Sequence, residues 1–458
     1  LVYYVGREKF FQGINQYLNK YAYSNATLAD LLHELEKASG RDLKAWSAKW
    51  LEESGINTIA TEVEENADGT IASLTLNQTA PAEHPVLRPH RLAVGFYDED
   101  PATGKIVRTD RFELDVDGES TVVAAAAGKK RPAFILVNDD DLTYTKLRFD
   151  ADSLSFALAN LQRFDDALAR AVVWLSLWDM TRDGDLAAEK FIDTTLALLA
   201  TETESTTFRY ALSCMSTTAW HYTAPDRRAD VVKHVAKELW KLVIAAPGGS
   251  DQQFQLVTAY LGYGEEGDAE FAEHAQGLFD GSLIVAGLEI DNNFTWTIIN
   301  ALSSVKLIDQ AGIDAQLAKR DTTENREFAL GAHAVRGDAA AKEWAWNEAL
   351  NNADLTNMQL EAVARGFGAT PRPDLAEPYA AKYYDVVDWV WKNKSFHMAE
   401  ALLEGLYPYY ADPATLVELG HRWLADHEDA DNALKRIVRG NVESSQRTLK
   451  VRDFNAAL

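Results

Sequence analysis

The apolar residues of this chain change their spacing twice, and those changes restrict the folds open to it. From Phe10 to Gly55 they recur every three or four positions, the period of helices buried along one stripe. Phe10, Phe11, Ile14, Tyr17 and Leu18 make one stripe, and Leu28, Leu31, Leu32 and Leu35 make the next. Thr27, with Asp30 three residues on, opens the second helix as an N-cap, and Gly40 suits its C-terminal cap. Asp42 caps a third helix, which carries Leu43, Trp46, Trp50 and Leu51 on one face and ends at Gly55.

From Ile56 to about Asp150 the period is two. Ala72, Leu74 and Leu76 alternate with polar residues, as do Leu92, Val94, Phe96 and then Phe112, Leu114, Val116. Asp68-Gly69, Thr103-Gly104, Asp117-Gly118 and Gly128 punctuate these strands, and the unbroken apolar run Phe134 to Val137 fits a strand buried on both faces. The pattern predicts a small antiparallel sandwich of roughly one hundred residues. Beyond Asp150 the strand signal ends and helix follows helix. Ala171, Trp174, Leu175 and Trp178 form one stripe, Ile192, Leu196 and Leu199 another, and Val232, Val235, Leu239 and Leu242 a third, between breakers such as Asp183-Gly184 and Pro247-Gly248-Gly249. No strict repeat is visible, yet degenerate helix pairs of about 40 residues, as in HEAT-like arrays, fit such a region. The Trp residues of this region, Trp220, Trp240, Trp296, Trp344, Trp346, Trp389, Trp391 and Trp423, read mainly as core, because helix-packing seams use large aromatics routinely.

The 458 residues suffice for two to four domains at roughly 100 to 200 residues each. A formal charge of -25 repels nucleic acid and anionic lipid. No apolar run approaches the roughly 18 residues of a membrane span, so neither membrane nor nucleic acid is an expected partner. Cys214 is the only cysteine, in the apolar context Ala211-Leu212-Ser213-Cys214-Met215; no intrachain disulfide can form, and a cytoplasmic location is expected. Position 1 is Leu within a helical pattern, which suggests that the natural N-terminus lies elsewhere.

Several stretches follow one another in a fixed order: Tyr4-Val5-Gly6-Arg7-Glu8 with Phe10 and Phe11, Leu28-Ala29-Asp30-Leu31-Leu32, Ser39-Gly40-Arg41-Asp42-Leu43, and Trp46 to Trp50-Leu51 before Gly55. Then come His84-Pro85-Val86-Leu87-Arg88-Pro89-His90-Arg91-Leu92, Val137-Asn138-Asp139-Asp140-Asp141-Leu142-Thr143-Tyr144, and Trp178-Asp179-Met180-Thr181-Arg182. Together they resemble the C-terminal part of zinc aminopeptidases of the aminopeptidase N type, actinobacterial kind, over nearly the whole chain. The resemblance implies a mainly α architecture with a small β-sandwich: residues 1–55 as the last helices of a gluzincin catalytic domain, 56–150 as the sandwich, and 151–458 as a HEAT-like helical lid of the endoplasmic-reticulum-aminopeptidase kind. It implies a parent enzyme that uses zinc to release N-terminal residues from peptides, with peptides and its own N-terminal catalytic domain as partners.

In that family zinc is held by a His-Glu-x-x-His helix and a later Glu, a Gly-Ala-Met-Glu-Asn loop grips the substrate amine, and a Tyr helps stabilise the oxyanion; none of these motifs occurs here. His33-Glu34-Leu35-Glu36-Lys37 has Lys37 where the second histidine belongs, so His33 reads as a surface residue. No catalytic or metal-binding residue is therefore assigned, no zinc is expected on this chain, and the substrate-binding residues are unknown. Glu83, His84 and His90 are a conceivable metal set, but Pro85 and Pro89 make them residues leading into a strand. Asn138 to Asp141 lacks the EF-hand pattern and reads as a solvated turn, and Asp426-His427-Glu428-Asp429-Ala430-Asp431 reads as a charged interhelical loop. The basic cluster Lys435, Arg436, Arg439, Arg447, Lys450 and Arg452 is read as charge at helix C-termini and paired along helix faces. The family's architecture also implies that an Arg there can meet a peptide's C-terminal carboxylate. A second reading of the chain is a stand-alone α-solenoid binding or scaffold protein; the apolar side of Phe10, Phe11 and Ile14, which the next two helices cover only in part, argues against it.

Overall fold

Helix Leu28–Ser39 starts as its spacing predicts. In the computed structural model, which describes residues 1–458, the Thr27 hydroxyl accepts from the Asp30 amide while the Asp30 carboxylate accepts from the Thr27 amide. Gly40 closes the helix at φ 74°, in the left-handed region where a Cβ is costly. Asp42 caps Leu43–Leu51, which ends short of Gly55. Val5, Leu32, Leu35, Leu43 and Trp46 bury one another, with Phe10, Ile14 and Trp50 packed against them. Phe11 and Leu18 of helix Arg7–Lys20 stay exposed, at 58% and 60%, so the first predicted stripe is covered on one edge only.

Two sheets follow. Strands β1 (Thr58–Glu65), β2 (Ile71–Thr79), β3 (His90–Glu99), β4 (Ile106–Val116), β5 (Ser120–Val122), β6 (Phe134–Val137) and β7 (Lys146–Arg148) pair as a four-stranded sheet, β5-β2-β1-β7, and a three-stranded sheet, β4-β3-β6. The sandwich differs from the expectation in one pairing: β1 and β7 run parallel, all other pairs antiparallel. Leu74 and Leu76 are buried as their alternation predicts, but Ala72 is not. Glu64 pairs with Ser73 and Glu65 with Ile71, so Ala72 is the extra residue of a bulge, and Ile71 takes the core position. β3 is buried on both faces, Tyr97 included. β6 lies at a sheet edge yet is wholly buried. Helix Ala151–Asn160 covers it: the Ile135 amide donates to Ser153 Oγ at 3.2 Å, and the Phe134 ring meets Phe149, Phe156 and Phe164.

By contact density the chain divides into residues 1–180 and 181–458. In the second unit alternate helices stack in a row: Ser205–Thr217, Asp251–Leu261, Asn292–Ser304, Thr323–Ala334, Asn357–Gly368, Phe396–Gly405 and Asn432–Ala456. Their starts are roughly 40 residues apart, the repeat length expected of degenerate helix pairs. The row packs closely through small residues. A Cβ on Gly366 would stand 2.6 Å from the Gly331 carbonyl oxygen. It also closes on itself, which an open array does not do: helix Asn432–Ala456 packs against the turn Thr218–Tyr222 that prolongs Ser205–Thr217. Asn455 is the clasp, its Oδ1 accepting from the Ala188 amide at 2.8 Å and its Nδ2 donating to the Tyr222 carbonyl at 3.3 Å.

Candidate functional site

His90, the first residue of β3, is 1% exposed and fully engaged. Gln78 Nε2 donates to the Gly118 carbonyl at 2.8 Å, which turns Gln78 Oε1 toward His90. His90 Nε2 then donates to that oxygen at 2.8 Å, leaving Nδ1 to accept from the Thr143 hydroxyl at 2.8 Å. Trp50 lies edge-on to the ring at 5.1 Å and donates from its indole N–H to the Pro89 carbonyl. Arg88 donates to the Glu53 and Ser54 carbonyls, and Asn57 Nδ2 to that of Val86, so the stretch from His84 to Leu92 ties the opening helices to the sandwich. Both His90 nitrogens being spoken for, it offers no ligand to a metal, and His84 instead packs beneath Gly55.

Burial, with Arg88 nearby, pushes His90 down to about 4. Between that value and the usual 6.5 the unfolded chain holds a proton that the folded one lacks, so stability is full above pH 6.5 and falls as pH drops toward 4, by about 3 kcal/mol. His90→Gln, which keeps a polar side chain without a titrating ring, removes this part of the acid sensitivity of the first unit. Urea midpoints at several pH values test it, and an unchanged pH slope in the variant contradicts the assignment.

The stretch Asn138 to Asp141 is not the solvated turn its composition suggests. Asn138 and Asp139 are 2% and 0% exposed. Asn138, Asp140 and Asp141 have φ of 59°, 66° and 53°, the left-handed region where a short polar side chain can bond its own backbone. Asn138 Oδ1 accepts from the Leu142 and Thr143 amides. Asp139 accepts from the Tyr97 hydroxyl at 2.6 Å and from Arg108 at 2.7 Å, while Arg108 and Arg111 also reach Asp140. The acidic run is thus a neutralised structural knot.

Of the six basic residues near the end, all on helix Asn432–Ala456, Lys435, Arg436 and Arg439 fall in its first two turns, away from its C-terminus. The expected placement at helix C-termini therefore fails for them. Arg436 reaches Glu400 at 3.8 Å, Lys435 caps the Glu428 carbonyl at 2.8 Å, and Arg452 Nε donates to the His221 carbonyl at 2.7 Å. In the same unit a cavity of ≈ 720 Å³ is lined by Trp220, Glu265, Glu266, Ser304 and Arg372. Glu266 bridges Lys306 at 3.0 Å and Arg372 at 2.7 Å, tying successive loops together, whereas burial raises the Glu265 carboxyl above its ordinary range.

No three His, Cys, Asp or Glu side chains converge as a metal would require. His33 is exposed, and Lys37 pairs with Glu34 at 3.3 Å, so a zinc ion does not fit the residues present there. No helix is long and apolar enough to cross a membrane. Local sequence gave no sign of Asn455 or the buried Lys342 (2% exposed), since partners of each are brought in by other helices.

The description of the ERAP1-like C-terminal domain matches residues 134–447, and that of the Peptidase family M1 domain matches residues 1–50. The chain belongs to the ERAP1-like C-terminal domain family, and its opening helices are similar to the Peptidase family M1 domain. Over its whole length it is similar to aminopeptidase N of Streptomyces lividans, with 36% identity across 100% of this chain and 54% of that protein. It is 30% identical to mitochondrial aminopeptidase 2 of Saccharomyces cerevisiae over 33% of this chain and 16% of that one. Aminopeptidase N of Lactococcus lactis is 35% identical over 13% of this chain and 7% of its own length. The chain thus spans about half of the first relative and much less of the others.

Proposed function

We propose that this chain is the non-catalytic C-terminal part of a zinc aminopeptidase that releases N-terminal residues from peptides. Its segments 1–55, 56–150 and 151–458 act as the end of the catalytic domain, a bridging sandwich and a helical lid that limits access. The observation that carries this reading is the collinear 36% identity to aminopeptidase N across the whole chain, with the M1 match confined to residues 1–50. The sequence contains no His-Glu-x-x-His, so the zinc site and the peptide-cleaving chemistry are assigned to the catalytic domain that partners these segments. The exposed apolar residues Phe11, Leu18 and Leu28 supply a surface for that domain to cover. A cytoplasmic location belongs to the same proposal and rests on the single, buried Cys214.

Zinc content and hydrolysis of an aminoacyl-arylamide test it, with this chain measured beside the same chain joined to the catalytic domain. The joined protein is expected to bind one zinc per chain and turn over substrate, and this chain alone to do neither. Turnover by this chain alone overturns the assignment.

A further inference from the structure

Two neighbouring glutamates on one loop have opposite surroundings. Glu266 is exposed, yet it meets Lys306 at 3.0 Å and Arg372 at 2.7 Å. Glu265 is half-buried, but no lysine or arginine nitrogen lies within 4.0 Å of its carboxylate, which accepts no hydrogen bond. Of the charges that face it at longer range, Lys233 and Arg228 are matched by Asp268 and Asp230, and burial raises its carboxyl above the ordinary range. A carboxylate drawn from water without a partner is costly, so Glu265 weakens the unit it sits in unless a cation reaches it from outside.

The loop that carries it is fixed in place. A Cβ on Gly264 would stand 2.4 Å from the Phe271 ring, the Glu265 carbonyl accepts from the Asp268 amide at 3.2 Å, and Asp268 caps helix Ala269–Asp280. Glu265 thereby stands in the wall of the ≈ 720 Å³ cavity, whose volume falls in the range of small-ligand sites, about 300 to 1,000 Å³. Trp220 shares that wall. It is 5% exposed, and its indole N–H makes no hydrogen bond within the protein. It is carried by Thr218–Tyr222, a π turn, a rare form of helix that recurs at functional sites, and its ring packs against Tyr263 at 6.3 Å. The cavity thus presents an unpaired carboxylate together with a free donor on an aromatic ring. Their complement is a cation joined to a hydrogen-bond acceptor, as in a basic side chain and the carbonyl of its own peptide.

We propose that this cavity is a subsite for a basic residue of a bound peptide, with Glu265 pairing with its guanidinium or ammonium group and the Trp220 N–H donating to a peptide carbonyl. The choice of a peptide rests on the aminopeptidase reading, but binding is measured on this chain without turnover, so either can fail alone. The probe is a tetrapeptide with arginine third and alanine elsewhere, acetylated and amidated so that the side chain is its only charge. It is titrated calorimetrically into the full 458-residue chain beside its citrulline analogue and beside agmatine. The arginine peptide is expected to bind about 10-fold more tightly than the citrulline one. Glu265→Gln removes that preference and melts no lower than the unsubstituted chain, because it no longer buries an unpaired charge. Trp220→Phe weakens both peptides alike, by about 3-fold. As pH falls from about 7 to about 4 the preference shrinks, since Glu265 takes up a proton and loses its charge. That pH series on the unsubstituted chain decides if a variant does not fold. Equal affinity for the arginine and citrulline peptides, or a preference that survives Glu265→Gln, overturns the proposal. Agmatine binding as tightly as the arginine peptide overturns it too, in favour of a free alkylguanidine.

Discussion

Lys342→Met lowers the stability of the 181–458 unit by about 3 kcal/mol. The Lys342 ammonium is 2% exposed and donates to the carbonyls of Ala334 at 2.7 Å, Gly366 at 3.2 Å and Phe367 at 3.1 Å, and to Thr370 Oγ1. Ala334 ends helix Thr323–Ala334, and Gly366 and Phe367 lie in the last turn of helix Asn357–Gly368. These are carbonyls that a helix cannot satisfy internally, so one lysine caps the C-termini of two stacked helices. Thr370 cannot take over, because its hydroxyl proton is committed to the Val335 carbonyl at 2.7 Å. Burial pushes the ammonium down to about 7, while its oxygen neighbours favour the charge, so part of the loss is offset when methionine removes the desolvation cost. Hydrogen exchange gives the sharper readout: amides at both helix ends should exchange about 100-fold faster, as a loss of that size requires. Unchanged exchange at either helix would show that the lysine does not join them.

How much of this was legible beforehand depends on whether the cause is local. Thr27, Asp30, Gly40 and Asp42 act on backbone groups three or four residues away, and the structure places all four as their spacing predicts. The hairpin glycines Gly69 and Gly104, and Gly118 where the chain crosses from one sheet to the other, have φ of 79°, 71° and 77°, the conformation that made them punctuation. Alternation located β2 but not its bulge, because the extra residue at Ala72 is visible only in the pairing with Glu64 and Glu65. Leu175, counted in an apolar stripe, is 41% exposed, since a period alone does not say which edge of the stripe a neighbour covers. Asp139 and Lys342 look like ordinary surface charges in sequence. Their burial is set by hydrogen-bond partners 31 or more residues away for Asp139 and 24 or more for the two Asn357–Gly368 carbonyls at Lys342. The closure of the helical row through Asn455 and Ala188, 267 residues apart, lay equally beyond any local pattern.

Asp139→Ala destabilises the first unit by about 3 kcal/mol, again because a buried network loses one partner and strands the rest. The Tyr97 hydroxyl would be left facing an apolar gap, in a residue 1% exposed whose ionisation is already driven up by burial and by its bond to Asp139. Arg108 keeps Asp140 at 2.9 Å and suffers less, so most of the loss is assigned to the tyrosine and to the cavity. Tyr97→Phe alone should cost about 1 kcal/mol, and in the double variant the two effects should fall short of their sum by about 1 kcal/mol. Gly95 provides an independent check. A Cβ there would stand 2.7 Å from Asp139 Oδ2 and 2.8 Å from the Tyr97 ring, so this mid-strand glycine is present because the carboxylate lies against the backbone. Gly95→Ala should therefore be costly beside Asp139 and less costly once Asp139 is alanine, the part due to the Tyr97 ring remaining. Urea denaturation of the three single and two double variants reads both couplings, and strict additivity in either pair would mean that Asp139 is not the centre of this knot.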